Sequence, residues 1–478
     1  MKKITTIVLA IGLLTVSCDK DFEEINENQN SPEQIEPEFL LSNVISVAAD
    51  QNTFDQGFRL SNYLTQFAAS VEFERIDRYE MGTNSTYWNT IYSLLNDIES
   101  IKANPKTNDA YNAVSDIMRC HFYSQLTDMW GDVPYSDAIQ AKNDVLTPKY
   151  DTQEFIYTDS NIGLLKVLEN AVATLKATNA SIKGDVLFKN DLNNWVKFAN
   201  SLRVRYTLRI SNRISDFSAI QTLSSSPDVM LSNAENAVLP YLRSAPNQFP
   251  MSNSALGLYQ EHRMTKTVDS VLTNWDDPRI NVLYKPTQAS VLAGTSEFKG
   301  LVNGQSRETI AASGVNSDEI SLFGAIFRDV PNGVDGQFMQ YAELQFAFAE
   351  AAERGYISGS AQGYYENGIR ASFDYYGVEL PADYLTRPAI AYGSDNLTKI
   401  LTQKWLMLNT NGHEAWFNIR RTGIPSLKPG PDNFNNDQYP VRYLYPEGEQ
   451  ATNSANAAAA AARMGGNDIN SKGWWEKP

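Results

Sequence analysis

Apolar residues recur at steps of three and four through long parts of the chain. Tyr87, Ile91, Leu94, Ile98 and Ile101 form one stripe and Tyr111, Val114, Met118, Phe122 and Met129 a second, the spacing that lines one face of an α-helix. Asn104-Pro105-Lys106 separates the two and Gly131-Asp132-Val133-Pro134 closes the second, since proline lacks an amide donor and glycine admits a turn. Two adjacent amphipathic helices are predicted. Leu165, Leu168, Val172 and Leu175 signal a further helix, as do Trp195, Phe198, Leu202 and Tyr206.

The pattern is clearest from Tyr341 to Tyr376. Tyr341, Leu344, Phe348 and Ala351 share one face; after a break at Gly355 and Gly359, Tyr365, Ile369, Ser372 and Phe373 share another. The small Ala342, Ala347, Ala349 and Ala352 let a second helix approach closely, as stacked helical hairpins of tetratricopeptide size require. No strict period runs through the chain. Between about 232 and 336 the texture changes, with Pro240, Pro246, Pro250, Pro278, Pro286 and Pro331 and several glycines interrupting it. That stretch reads as loop-rich, with short strands such as Ile280 to Tyr284. The fold class expected is mostly α: irregular tetratricopeptide-like helical hairpins, with a loop-rich region carrying a few short strands.

The N-terminal end has a different anatomy. Lys2 and Lys3 precede an apolar run from Ile7 to Val16, then Ser17, Cys18 and the acidic stretch Asp19 to Glu24. Such a leader directs export and is removed, and a small residue before a lone cysteine suggests lipid attachment at Cys18. The residue three before the cysteine is Thr15, with Leu14 one step earlier, a departure from the usual lipobox. The run is shorter than the ~20 apolar residues that a membrane span needs. The expected organisation is a signal peptide over 1–17, a lipid-anchored tether over 18–37 and a helical domain over 38–478 containing the loop-rich insertion. The membrane would be met through the lipid anchor only.

A net charge of −16 argues against nucleic acid, whose phosphates select basic patches. With Cys18 spent on lipid, Cys120 has no partner for a disulfide, and its place in an apolar stripe marks it as a buried hydrophobe. His121, His262 and His413 are far apart and lack carboxylate or cysteine neighbours at metal-ligand spacing, so no metal or cofactor is expected. There is no Gly-x-Ser-x-Gly elbow. Paired carboxylates are harder to judge, because a glycosidase needs only two of the 56 Asp and Glu facing one bond. The 24 Tyr, 21 Phe and 8 Trp fill a core first and offer stacking surfaces second.

Four stretches in order resemble the SusD/RagB outer-membrane lipoproteins of Bacteroidota: Met118 to Tyr135, Trp195 to Arg209, Gln340 to Tyr376, and Gln403 to Arg421. Arg442 to Pro446, Asn453 to Asn456 and Trp474-Trp475 complete the likeness. The resemblance implies a helical scaffold, a loop-rich ligand region, capture of an oligosaccharide or peptide, and a TonB-dependent (SusC-like) outer-membrane transporter as partner. It also implies a body exposed outside the cell, with no catalysis. Ligand contacts are expected where aromatics and charges share loops: Arg78 and Tyr79 in the polar segment from Glu72, and Trp275 and Tyr284 beside Asp276, Asp277 and Arg279. An exported glycoside hydrolase and a peptide-binding helical-hairpin module are the alternatives.

Overall fold

The computed structural model describes residues 35–477, and the unit considered runs from Pro37 onward. Helices dominate it. The N-terminal part carries α1 (Pro37–Asp50), α2 (Ser85–Ala103), α3 (Asp109–Trp130), α4 (Leu164–Ala177) and α5 (Leu192–Arg209). A further helix, α6 (Lys266–Trp275), lies in the loop-rich region. The C-terminal part adds α7 (Tyr341–Glu353), α8 (Ala361–Tyr375), α9 (Asn396–Met407), α10 (Gly412–Thr422) and α11 (Ser454–Met464).

The predicted stripes are buried, with Ile91, Ile98, Val114, Met118 and Phe122 all at 1% exposure or less. Asn108 starts α3 by accepting the amides of Ala110 and Tyr111, which satisfies donors the first turn leaves open. In α7 and α8 the hairpin forms as the small residues suggest. Ala342, Ala347 and Ala349 are buried, and Gly368 sits so close that a Cβ there would lie 2.7 Å from the Phe346 ring.

Charges as well as rings bind the helices together. Arg205 of α5 grips Glu343 of α7 at 2.6 Å, Arg209 pairs with Glu414 of α10 and stands 3.5 Å from Asp128 of α3, and Arg421 of α10 holds Glu350 of α7 at 2.6 Å. Burial alone would raise the Glu350 carboxyl; Arg421, with Lys404 and Arg354, overcomes it and holds the group at about 2. Removing one partner from such a pair strands a buried charge, so these ties specify how the hairpins meet. The imidazoles of His121 and His413 are sealed in the same interior and pushed down to about 3 by burial.

Strands are few and short, in three antiparallel pairs: Ala68–Ser70 with His262–Met264, Val133–Pro134 with Tyr150–Asp151, and Ala237–Leu239 with Gly336–Met339. The expected strand over Ile280 to Tyr284 is instead one helical turn, Ile280–Leu283, with only Tyr284 bridging to Phe323. Asp277 explains the difference: its carboxylate accepts the Arg279 amide and its carbonyl accepts that of Ile280, so the Asp-Pro step starts a turn rather than an extended run.

Candidate ligand-binding loops

The Ala68–Ser70 and His262–Met264 strands pair in the register Ala68 with Met264 and Ser70 with His262. This lays the polar segment after Ser70 beside Glu261 and the start of α6. The Glu261 carboxylate then gathers the amides of Val71, Glu72 and Phe73 at 2.7–3.1 Å, together with the Ser70 hydroxyl. A single ionised acceptor holding three successive donors fixes the loop, because hydrogen bonds to a carboxylate are stronger than those between neutral groups. The Phe73 ring is left 74% exposed.

A second loop is bound to the first. Arg78 donates through Nε to the Asp432 carbonyl at 2.7 Å, the Phe434 amide donates back to the Arg78 carbonyl at 2.7 Å, and the guanidinium lies 3.8 Å from the centre of the Phe434 ring. Glu74 adds an ion pair to Arg78 at 3.3 Å. Asn433 shapes the turn by accepting the amides of Asn435 and Asp437, and Asn436 and Asp437 take left-handed backbone angles, which Asn and Asp tolerate best after glycine. The Phe434 ring is 53% exposed. Asp432 ties in a third loop through the Ser306 amide at 2.8 Å, a bond that lowers its carboxyl pKa. Arg307 reaches Glu72 at 3.4 Å.

Of the residues expected to meet ligand, Arg78 lies in this convergence. Tyr79 is its neighbour in sequence but turns inward, 1% exposed at φ +69°, with its ring edge-on to Tyr439. A non-glycine residue holds such an angle only when its surroundings enforce it, so Tyr79 anchors the loop. Trp275 and Tyr284 are also buried, and the Tyr284 hydroxyl donates to the Phe67 carbonyl at 3.0 Å while Asn409 donates to it. These three rings are closed to solvent in this structure. Asp277 and Arg279 form a fully buried pair at 2.6 Å, and the guanidinium is further held by Ser372, Tyr384 and Gln403. Cys18 lies outside the described residues.

Two rings carry the exposed aromatic surface here. Phe73 stood inside the polar segment singled out by sequence; Phe434 was missed. Its signal was a lone ring in the Asp- and Asn-rich stretch Pro431 to Asp437, where no core stripe requires one. Beneath the loops, Asp77 is fully buried, and burial pushes its carboxyl up to about 7 against the pull of the Gly304 and Ser70 amides. Among the described residues no group of three or more His, Cys, Asp or Glu is placed to hold a metal ion, and no helix is long and apolar enough to cross a membrane.

Hairpins locked by buried charge, with loops displaying rings and arginines, define a helical scaffold of the binding-protein kind. The family described as starch-binding, associating with the outer membrane, matches residues 29–446. The chain belongs to this SusD-like family. Solved structures agree: a SusD homologue from Bacteroides fragilis is 27% identical with a TM-score of 0.78, covering 93% of this chain and 100% of its own. A chitin-binding SusD homologue from Flavobacterium johnsoniae is 25% identical with a TM-score of 0.75, covering 92% and 98%. A second Bacteroides fragilis homologue, 23% identical with a TM-score of 0.82 over 93% and 100%, shares the fold. No curated protein matches the chain.

Proposed function

We propose that the protein is a lipid-anchored outer-membrane binding protein, exposed at the cell surface, that captures an oligosaccharide and passes it to a TonB-dependent, SusC-like transporter. The observation that carries this reading is the display of Phe73 and Phe434 beside Arg78 on loops tied to a helical scaffold of the SusD-like family. A sugar presents an apolar face that stacks on a ring and hydroxyl edges that seek charged and polar groups. The family description as starch-binding and the chitin-binding relative favour a glycan over a peptide. Cys18 is the proposed anchor, residues 18–37 the tether, and Arg78 the sequence-predicted contact retained.

Binding without turnover is the reading that the family description supports. The carboxyls of Asp77 and Asp128, raised by burial to about 7 and about 6, are sealed in the interior, and Asp128 is committed to Tyr157, Trp475 and Arg209. The test is calorimetric titration of the full chain in detergent with starch and chitin oligosaccharides. Phe434→Ala and Phe73→Ala should each weaken binding by ~1–2 kcal/mol, as loss of an aromatic anchor does. Their melting temperatures should stay at that of wild type, and no product should form. Release of shortened sugars, or full affinity in the double variant, would defeat the reading.

A further inference from the structure

The other buried arginines among the described residues are each held by the interior. Arg205 grips Glu343, Arg209 pairs with Glu414, Arg279 lies against Asp277, and Arg442 donates to the Tyr443 carbonyl. Arg263 breaks the pattern. It is 8% exposed, yet none of its side-chain donors meets an acceptor among the described residues and it forms no ion pair with them. Its Nε is sealed from solvent without a partner, whereas the two Nη groups at the tip are not sealed. Burial outweighs the pull of Glu261 and Asp318 and lowers the pKa of the guanidinium. Buried charges are normally paired and hydrogen-bonded, so the tip of Arg263 is left with donors for something the chain does not supply.

The strand register places this side chain at the foot of the Phe73 loop. Arg263 pairs with Ala69 on one side and bridges to Leu322 on the other, and residues opposite one another in a ladder share a face. Two positions before it, Glu261 collects the amides of Val71, Glu72 and Phe73 together with the Ser70 hydroxyl, so the backbone that carries the exposed ring is tied to the strand that carries Arg263. Those bonds also commit the Glu261 carboxylate elsewhere. On the far side the turn Ser317–Glu319 leads into the segment that holds Leu322 and brings the exposed Asp318 within electrostatic range.

We propose that Arg263 is a ligand contact, its Nη groups donating to two vicinal hydroxyls of a neutral sugar unit next to the one that stacks on Phe73, an inference that rests on the glycan-capture reading above. The planar guanidinium sets two donors side by side, as a pair of adjacent oxygens requires. Hydroxyls suit the surroundings better than a carboxylate or a sulfate. A hydroxyl accepts from the arginine and donates onward, so Asp318 is a further partner for it, whereas an anion would meet the charges of Asp318 and Glu261 in a chain of net charge −16. Leaving the arginine without a partner costs stability and keeps its donors ready, the kind of local rule that binding sites break.

The test compares wild type with Arg263→Met and Arg263→Lys, each as the full chain in detergent, by thermal melting and by calorimetric titration with maltotetraose, chitotetraose and tetragalacturonate. Methionine keeps an unbranched apolar stem and removes every donor. Because no native partner is stranded, its Tm should equal or exceed that of wild type, while affinity for the neutral sugar that wild type binds should fall about tenfold or more, as loss of a hydrogen bond from a charged group does. Lysine keeps the charge without the fork and should recover only part of that affinity. Full affinity in Arg263→Met, or a Tm lowered by that substitution, overturns the contact and leaves glycan capture standing. Tetragalacturonate bound more tightly than both neutral sugars overturns the hydroxyl assignment in the same way. Binding of none of the three by wild type overturns both readings.

Discussion

Asp277→Asn is the sharpest test of how the loop-rich region is held. Asp277 and Arg279 are completely buried, with Arg279 donating to the carboxylate at 2.6 and 3.0 Å and also held by Ser372 at 2.8 Å and Gln403 at 2.9 Å. The asparagine keeps the shape and one acceptor but strands the guanidinium charge, at a cost of ~3–5 kcal/mol. With an unfolding entropy of ~2.1 cal/mol/K per residue, the unit from Pro37 to Pro478 carries about 0.9 kcal/mol/K, so Tm should fall by about 3–5 °C. Calorimetric melting measures it. Burial would raise the Asp277 carboxyl, but Arg279 and the surrounding hydrogen bonds hold it below its ordinary value. The stability gained by ionising it is therefore complete above the unfolded pKa of ~3.9 and disappears as pH falls through the lowered folded value. Adding Arg279→Met removes the stranded charge, so the double variant should lose less than the two single losses combined. An unchanged Tm with oligosaccharide binding lost would refute the reasoning and return this pair to the ligand site that its sequence neighbourhood first suggested.

Two further outcomes are expected. Gly368→Ala drives a Cβ into the Phe346 ring and should destabilise the α7–α8 hairpin by ~1–3 kcal/mol despite the better helix propensity of alanine, read as a lower urea midpoint at constant slope; a gain in stability would show that the hairpin can spread. Asp77 is raised to about 7 by burial, so the folded state holds its proton where the unfolded chain has lost it, and stability should fall as pH rises from ~4 through about 7. Asp77→Asn should flatten that fall in urea titrations across the same range, and identical slopes in the two proteins would overturn the assignment.

The hairpin helices were legible because their evidence is local. A stripe such as Ile91, Leu94 and Ile98 has one stable use, burial along a helix face, and the breaks at Asn104 to Lys106 and at Gly131 lie where the chain loses its donors or turns. The failure at Ile280 to Tyr284 has the opposite origin. Those apolar residues suit a strand, but the carboxylate of Asp277 and the charge of Arg279 organise the turn ahead of them.

The candidate site was only half readable, for a related reason. Sequence marked the segment around Arg78 as a loop with rings and charges, yet Tyr79, Trp275 and Tyr284 point into the core while Phe434 looks outward from more than 350 positions away in the chain. Sequence by itself determined the class of fold, the acidic balance that disfavours nucleic acid, and a family likeness spread over four stretches, since each depends on composition or short-range spacing. Tertiary structure alone decided which rings meet solvent and which charges pair in the interior. Exposure and charge pairing are set by neighbours brought together across the chain, and no local period encodes them.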